Sequence, residues 1–438
     1  MSRGIFKIVF IALSVFAFGG GLTVDNEAVN PKKEDELIVR ALLAENYGDY
    51  HASMSFFLRL YDITGNVEYL IQAARESLIG KNGEDEMIAK ISRWIPTAKD
   101  SARKRIAARM LAALYVKKRD LHSAERVCDS YLGNSDNPVD LKLTSSVKID
   151  LKKYAEAVDL LKRAYAVDKD EKTLLREALL FDKYIGDTTA AVKLLEEYID
   201  KTPKATVAAY FKLIEIYARE KKLHKVLDLY KKLYIRDKQE YFLNKIVKLS
   251  AYLKDLRGLV AFIEKYGDRN SRLLYDLYKE LDMYDKAIAF SRHMYETERN
   301  PKWIAEEAIM LYEKALSGKN ITPSVIKKMS ELFEKALEKG VKDPLYLNYY
   351  GYILIDHDID IDKGLRMVAK ALIDEPKNAY FMDSMAWGLY KKGACEKAYG
   401  LMKKVVGVEG LKVPEIRTHW DSIKRCITIK DFGHREIR

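Results

Sequence analysis

Apolar residues recur at helical spacing along most of the chain, in paired runs separated by tight turns. In Trp387–Val405 (WGLYKKGACEKAYGLMKKV) a helix with an apolar stripe runs into Gly393, and a second amphipathic helix follows. Neither helix can bury its own stripe, so neighbours must supply the core. The pairing repeats. The small residue early in the second helix, Ala398, has a counterpart 34 residues earlier at Gly364, and further ones at Ala191, Ala157 and Ala124, spaced by 34 and 33. A fixed period of this length marks a helical repeat array, in which each unit packs on its neighbours and no single core has to grow with the chain.

The residue types within the period resemble the tetratricopeptide repeat. In RIAARMLAALYVKKRDLHSAERVCDSY, Leu111, Ala112 and Tyr115 stand where that family places Leu, Gly or Ala, and Tyr, while Ala124 fills the small site of the second helix. In LLREALLFDKYIGDTTAAVKLLEEYIDKTP, the Gly186-Asp187 turn, Ala191, Leu195, Tyr198 and Pro203 follow the same pattern, and Gly48, Asp49 and Tyr50 form a similar turn. Small side chains at Ala112, Ala124, Ala157 and Ala191 allow close helix approach. Gly in the turn tolerates positive φ, and Pro ends a helix where no further amide bond is needed. The resemblance implies an all-α fold, a right-handed superhelical solenoid of about ten units. Repeats are clear over 36–203, divergent over 204–343, and clear again over 344–406. Residues 407–438 read as a capping helix, Pro414–Cys426, and a basic tail.

Residues 1–19 have the form of a signal peptide. Arg3 and Lys7 precede an eleven-residue run, Ile8 to Phe18, that is apolar except at Ser14. That length suits a signal core and falls short of a membrane span. Ala17-Phe18-Gly19 permits cleavage after Gly19; retention as an N-terminal membrane anchor is the alternative. Residues 20–35 read as a linker. No Cys stands near the cleavage site to carry a lipid. The expected location is the periplasm, and the stretch Asn348–Trp387 resembles the C-terminal repeats of bacterial envelope tetratricopeptide adaptors. The three cysteines, Cys128, Cys395 and Cys426, include no C-x-x-C and read as free, packed thiols; a Cys128–Cys395 bridge would join distant repeats.

Charge adds little to this picture. Net charge is +11, from 76 Lys+Arg and 65 Asp+Glu, but the basic residues are spread among acids, as on solvated helix faces, and no nucleic-acid partner is expected. Hydrophobic content of 48% excludes a largely disordered chain. Seven scattered histidines include no pair at zinc-ligand spacing. The acidic cluster Asp356, Asp358, Asp360 and Asp362 lacks the Gly and later Glu of an EF-hand. The S-x-x-K sequences at Ser145 and Ser324 lack companion motifs. An enzyme is not expected, and neither is a cofactor or metal.

The resemblance implies a concave groove lined by first helices. Mapped there are Arg109, Lys117, Lys142, Arg176, Lys183, Tyr184, Phe211 and Arg219. Arg109, Lys142 and Arg176 occupy one site in three successive units and read as a basic ladder, interrupted by Asp150 and Glu215. Such a groove suits a protein partner with an acidic or carboxylate-bearing C-terminal segment. The expectation is a non-catalytic scaffold of the cell envelope. The alternative is a binding module for an acidic envelope polymer, an anionic glycan.

Overall fold

A computed structural model of the chain describes residues 31–433, with side chains for 32–427. The signal segment 1–19, residues 20–30 of the linker and the last five residues of the basic tail lie outside the described residues. Among the described residues there are 23 α-helices and no strand. The chain divides into two compact units, one ending at Lys245 and the other starting at Ile246.

The first unit contains six successive helical hairpins: Pro31–Asn46 with Tyr50–Thr64, Val67–Ile79 with Glu84–Trp94, Ser101–Lys117 with Leu121–Tyr131, Pro138–Asp150 with Tyr154–Asp168, Glu171–Leu180 with Thr188–Lys201, and Val207–Arg219 with Leu223–Asp237. Each second helix packs back on its own first helix and, through the fifth hairpin, forward on the next one. The second unit has the helix Leu256–Tyr266 and then four hairpins: Arg272–Glu280 with Tyr284–Glu298, Lys302–Ser317 with Pro323–Glu338, Pro344–Asp356 with Ile361–Asp374, and Ala379–Lys391 with Cys395–Glu409. A closing helix, Pro414–Gly433, follows; it runs past the expected end at Cys426.

Several of the turns within the hairpins share one backbone. Gly48 and Gly393 have φ of 75° and 74°, but Arg119, Lys152 and Lys221 hold the same turn at 63°, 63° and 58°, while Gly186, with φ of 85°, closes a wider turn. The hydrogen bonds explain why. Arg119 N donates to Val116 O at 2.9 Å and Asp120 N to Tyr115 O at 2.9 Å, and the same two bonds recur at Lys152 and Lys153, at Lys221 and Lys222, and at Gly48 and Asp49. This double closure satisfies the last carbonyls of the first helix and imposes the left-handed residue on whichever side chain is there. Where Asp follows, it caps the second helix: Asp49 accepts from Ala52 N at 3.0 Å and Asp187 from Ala190 N at 2.9 Å. Five residues beyond most of these left-handed positions stands a small residue, the exception being Val226 beyond Lys221. Ser53, Ala124, Ala157, Ala191 and Ala398 are all fully buried, and so is Ala112 in its first helix.

The cysteines depart from expectation. Cys128 is a buried free thiol, but Cys395 and Cys426 are not free: they form a disulfide, with Cα atoms 5.8 Å apart. Their separation of 31 positions is nearly one repeat period. Stacking therefore brings the pair together without any local spacing motif.

Candidate functional site

The eight mapped residues lie in the first unit, and six of them make polar contacts. Arg109 is buried, not presented on a ladder. Its Nε donates to Asp140 Oδ1 on the next first helix, and Asp140 is fully buried. Lys142 Nζ lies 2.7 Å from both Asp168 Oδ2 and Asp170 Oδ2, the latter capping the following first helix. Arg176 reaches back, Nη1 to Ser146 Oγ at 2.9 Å; burial holds its guanidinium below the usual range while Asp150 pulls the other way. Lys117 Nζ donates to Gly80 O at 2.6 Å and pairs with Glu84 at 2.6 Å. Each of these cations therefore bridges to an adjacent hairpin. The basic ladder is corrected on this point: at a spacing near one period a carboxylate, carbonyl or hydroxyl accepts each charge and ties two units together.

The remaining four residues fall on two adjacent first helices. Helix Glu171–Leu180 ends in a π-turn, Phe181–Ile185, closed by Gly186. The wider turn directs Asp182 inward, where its side chain is inaccessible. Three cations reach it: Arg219, whose Nη1 is 3.2 Å from Oδ2 and whose Nη2 donates to Oδ1; Lys183 at 3.4 Å; and Lys212 at 3.8 Å. Burial opposes ionisation of Asp182, but Arg219 and Lys183 outweigh it and lower its pKa. Glu215 shares two of these cations, with Lys183 at 3.1 Å and Lys212 at 3.2 Å. Three positive groups thus face Asp182 and Glu215, while Glu220, which also acts on Arg219, pairs with Lys222 at 2.8 Å. Beside them Tyr184 is 52% exposed, its ring 4.9 Å from that of Tyr154, and Phe211 is 39% exposed. Exposed aromatic rings next to an excess cation can receive an anionic group that carries an apolar neighbour. Asp182 and Lys212 were not legible from the repeat pattern, because the π-turn that places Asp182 leaves no mark in the spacing.

The second unit holds a polar and aromatic cluster that sequence reasoning did not find. His419 Nδ1 lies 3.0 Å from Asp383 Oδ2, both buried, and its ring stacks on Trp387 at 4.1 Å. Trp387 also stacks on Tyr390 at 4.9 Å and donates Nε1 to Asp356 Oδ1 at 2.9 Å. The rings pack on one another, so the cluster holds the closing helix to the last hairpins. The other aspartates of the acidic run are engaged as well: Asp358 pairs with Lys391 at 2.8 Å, Asp362 with Lys392 at 3.0 Å, and Asp360 caps Lys363 N at 2.8 Å. Among the described residues no three His, Cys, Asp or Glu converge as a metal site. No described helix is long and apolar enough to cross a membrane.

No protein-family model matches the sequence, and no curated protein matches it. Among solved structures the chain is similar to the APC/C hetero-tetramer Cut9-Hcn1, at 11% identity and TM-score 0.35, over 90% of this chain and 96% of that one. It is similar to Naa15/Naa10 bound to HypK-THB, at 14% identity and TM-score 0.31, over 88% of this chain and 64% of that one. YrrB, a TPR protein with an unusual peptide-binding site, matches at 14% identity and TM-score 0.27, over 52% of this chain and 98% of that one. At such values the assignment rests on the chain's own hairpins: the repeated turn, the buried small residue five positions beyond it, and the period near 34 residues. By these features the chain is an array of tetratricopeptide-type helix-turn-helix repeats.

Proposed function

We propose that the protein is a non-catalytic scaffold of the bacterial cell envelope. It is exported by its first 19 residues and holds an acidic or carboxylate-bearing segment of a partner protein on the first helices around Asp182. The observation that carries this reading is the group of Lys183, Lys212 and Arg219 gathered on Asp182 and Glu215, flanked by exposed Tyr184 and Phe211. The Cys395–Cys426 bond supports export, since such bonds persist in oxidising compartments and are rare in the cytosol.

The test is crosslinking and purification of the full-length, C-terminally tagged chain from its native host, beside a Lys183→Glu, Tyr184→Ala variant. Both changes are at exposed positions and leave the Arg219–Asp182 contact in place. One dominant envelope protein, lost from a variant of unchanged thermal stability, establishes the scaffold and its site. The same protein retained by the variant refutes the site. Retention on an anionic glycan at low salt, with no protein captured, replaces this reading with the polymer-binding one. The N-terminal residue of the purified chain distinguishes a cleaved signal from a retained membrane anchor.

A further inference from the structure

The closing helix Pro414–Gly433 is held to the preceding hairpins by one core, which takes in Ile416, Trp420 and Ile423, and beyond that core by a covalent bond. In its first two turns Glu415 accepts from the Tyr352 hydroxyl, Ile416 is buried, His419 meets Asp383, and the Trp420 ring lies 5.4 Å from that of Tyr399. Farther along, Ile423 enters the same core with Ala398, Met402 and Val405. Cys426 then bonds Cys395, the first residue of the second helix in the last hairpin. The third cysteine cannot scramble this pair. Cys128 is fully buried in the first unit, and burial pushes its thiol up to about 12, so it offers no thiolate for exchange.

We propose that the Cys395–Cys426 bond is an oxidation-dependent latch on the C-terminal half of the closing helix. With the bond closed, that half lies fixed on the last hairpin. With it open, the half beyond Ile423 detaches while the first two turns stay docked, and the start of helix Cys395–Glu409 is uncovered. Closing transfers two electrons and two protons from the thiols to a low-molecular-weight disulfide, RSSR, which leaves as two RSH. Opening reverses this through attack by a reductant thiolate and a mixed-disulfide intermediate. The latch is independent of the partner bound around Asp182.

The experiment is amide hydrogen exchange on the full chain in oxidised glutathione and again in dithiothreitol, with alkylation of free thiols after unfolding. Oxidised protein should alkylate at one cysteine, Cys128. On reduction, exchange at 424–433 should rise by about tenfold or more, while 414–420 changes by less than about twofold. Cys426→Ser should show the reduced pattern even in oxidant, and Cys128→Ser should leave the response intact. The latch is refuted by equal exchange in the two states, by three alkylatable cysteines in oxidant, or by loss of protection along the whole helix, which would make the bond a staple for the entire cap.

Discussion

Arg109 and Asp140, 31 residues apart on successive first helices, form an ion pair almost wholly removed from water. Asp140 Oδ1 takes the Arg109 bond. Its other oxygen has no hydrogen-bond partner, and the Arg105 Nε stands 4.0 Å away. An ion pair in this setting adds little net stability, yet breaking one side strands a buried charge.

Arg109→Met should therefore destabilise the protein by about 3–5 kcal/mol, while Arg109→Met with Asp140→Leu should recover most of that loss. Urea midpoints for the two variants decide the matter. A double variant as unstable as the single one would show that the pair does more than neutralise itself.

Two buried glutamates set a pH dependence. Glu76 and Glu177 are 0% and 2% exposed, and burial raises both to about 7; Glu45 adds to the rise at Glu76, while Lys162 opposes it at Glu177. The folded state holds these protons more tightly than the unfolded chain, whose glutamates titrate near 4.5. Their contribution is complete below that value and fades as pH rises through 7, by up to about 3 kcal/mol for each group. The thermal midpoint should fall between pH 5 and 8, and Glu76→Gln with Glu177→Gln should flatten the slope. An unchanged slope in the double variant would assign the pH response elsewhere.

Gly351 and Gly364 face each other across the hairpin Pro344–Asp374. A Cβ on Gly364 would sit 2.6 Å from Gly351 O, and one on Gly351 would sit 2.8 Å from Gly364 O. Backbone on both sides leaves no flexible atom to give way. Either Ala substitution should cost about 2–3 kcal/mol or more, through forced separation of the helices. The solvent-facing Gly400→Ala, which meets nothing within 4 Å, should be neutral or slightly stabilising and serves as the control.

At the turns the opposite substitution is favourable. Lys152 and Lys221 are held at φ of 63° and 58°. A left-handed L-residue costs about 1–2 kcal/mol, partly offset by the entropy that Gly loses on folding, so Lys221→Gly should stabilise by about 0.5–1 kcal/mol. Chemical denaturation midpoints should rise for both variants. A fall at either position would mean that its side chain makes a contact worth more than the strain.

What could be read from the sequence was whatever repeats. Ala112, Ala124, Ala157 and Ala191 announced buried small sites, and Gly48, Gly186 and Gly393 announced turns, because each recurs at a fixed offset. Side-chain partners chosen one period away were not legible: Arg109 with Asp140, Lys142 with Asp170, and Cys395 with Cys426 satisfy one another only once the hairpins are stacked. The site was half visible. Lys183, Tyr184, Phe211 and Arg219 could be placed on first helices, but Asp182, which gathers the charges, depends on a local π-turn with no periodic signature.

The turn closed by its own amides has a consequence for ancestry. Because the backbone dictates the conformation, Gly, Lys and Arg all occupy the same corner within this one chain, at Gly48, Lys152 and Arg119. Lineages built this way can exchange most of their alphabet while keeping their metre. Kinship between such chains is then recorded in rhythm and offset, where comparison residue by residue does not look.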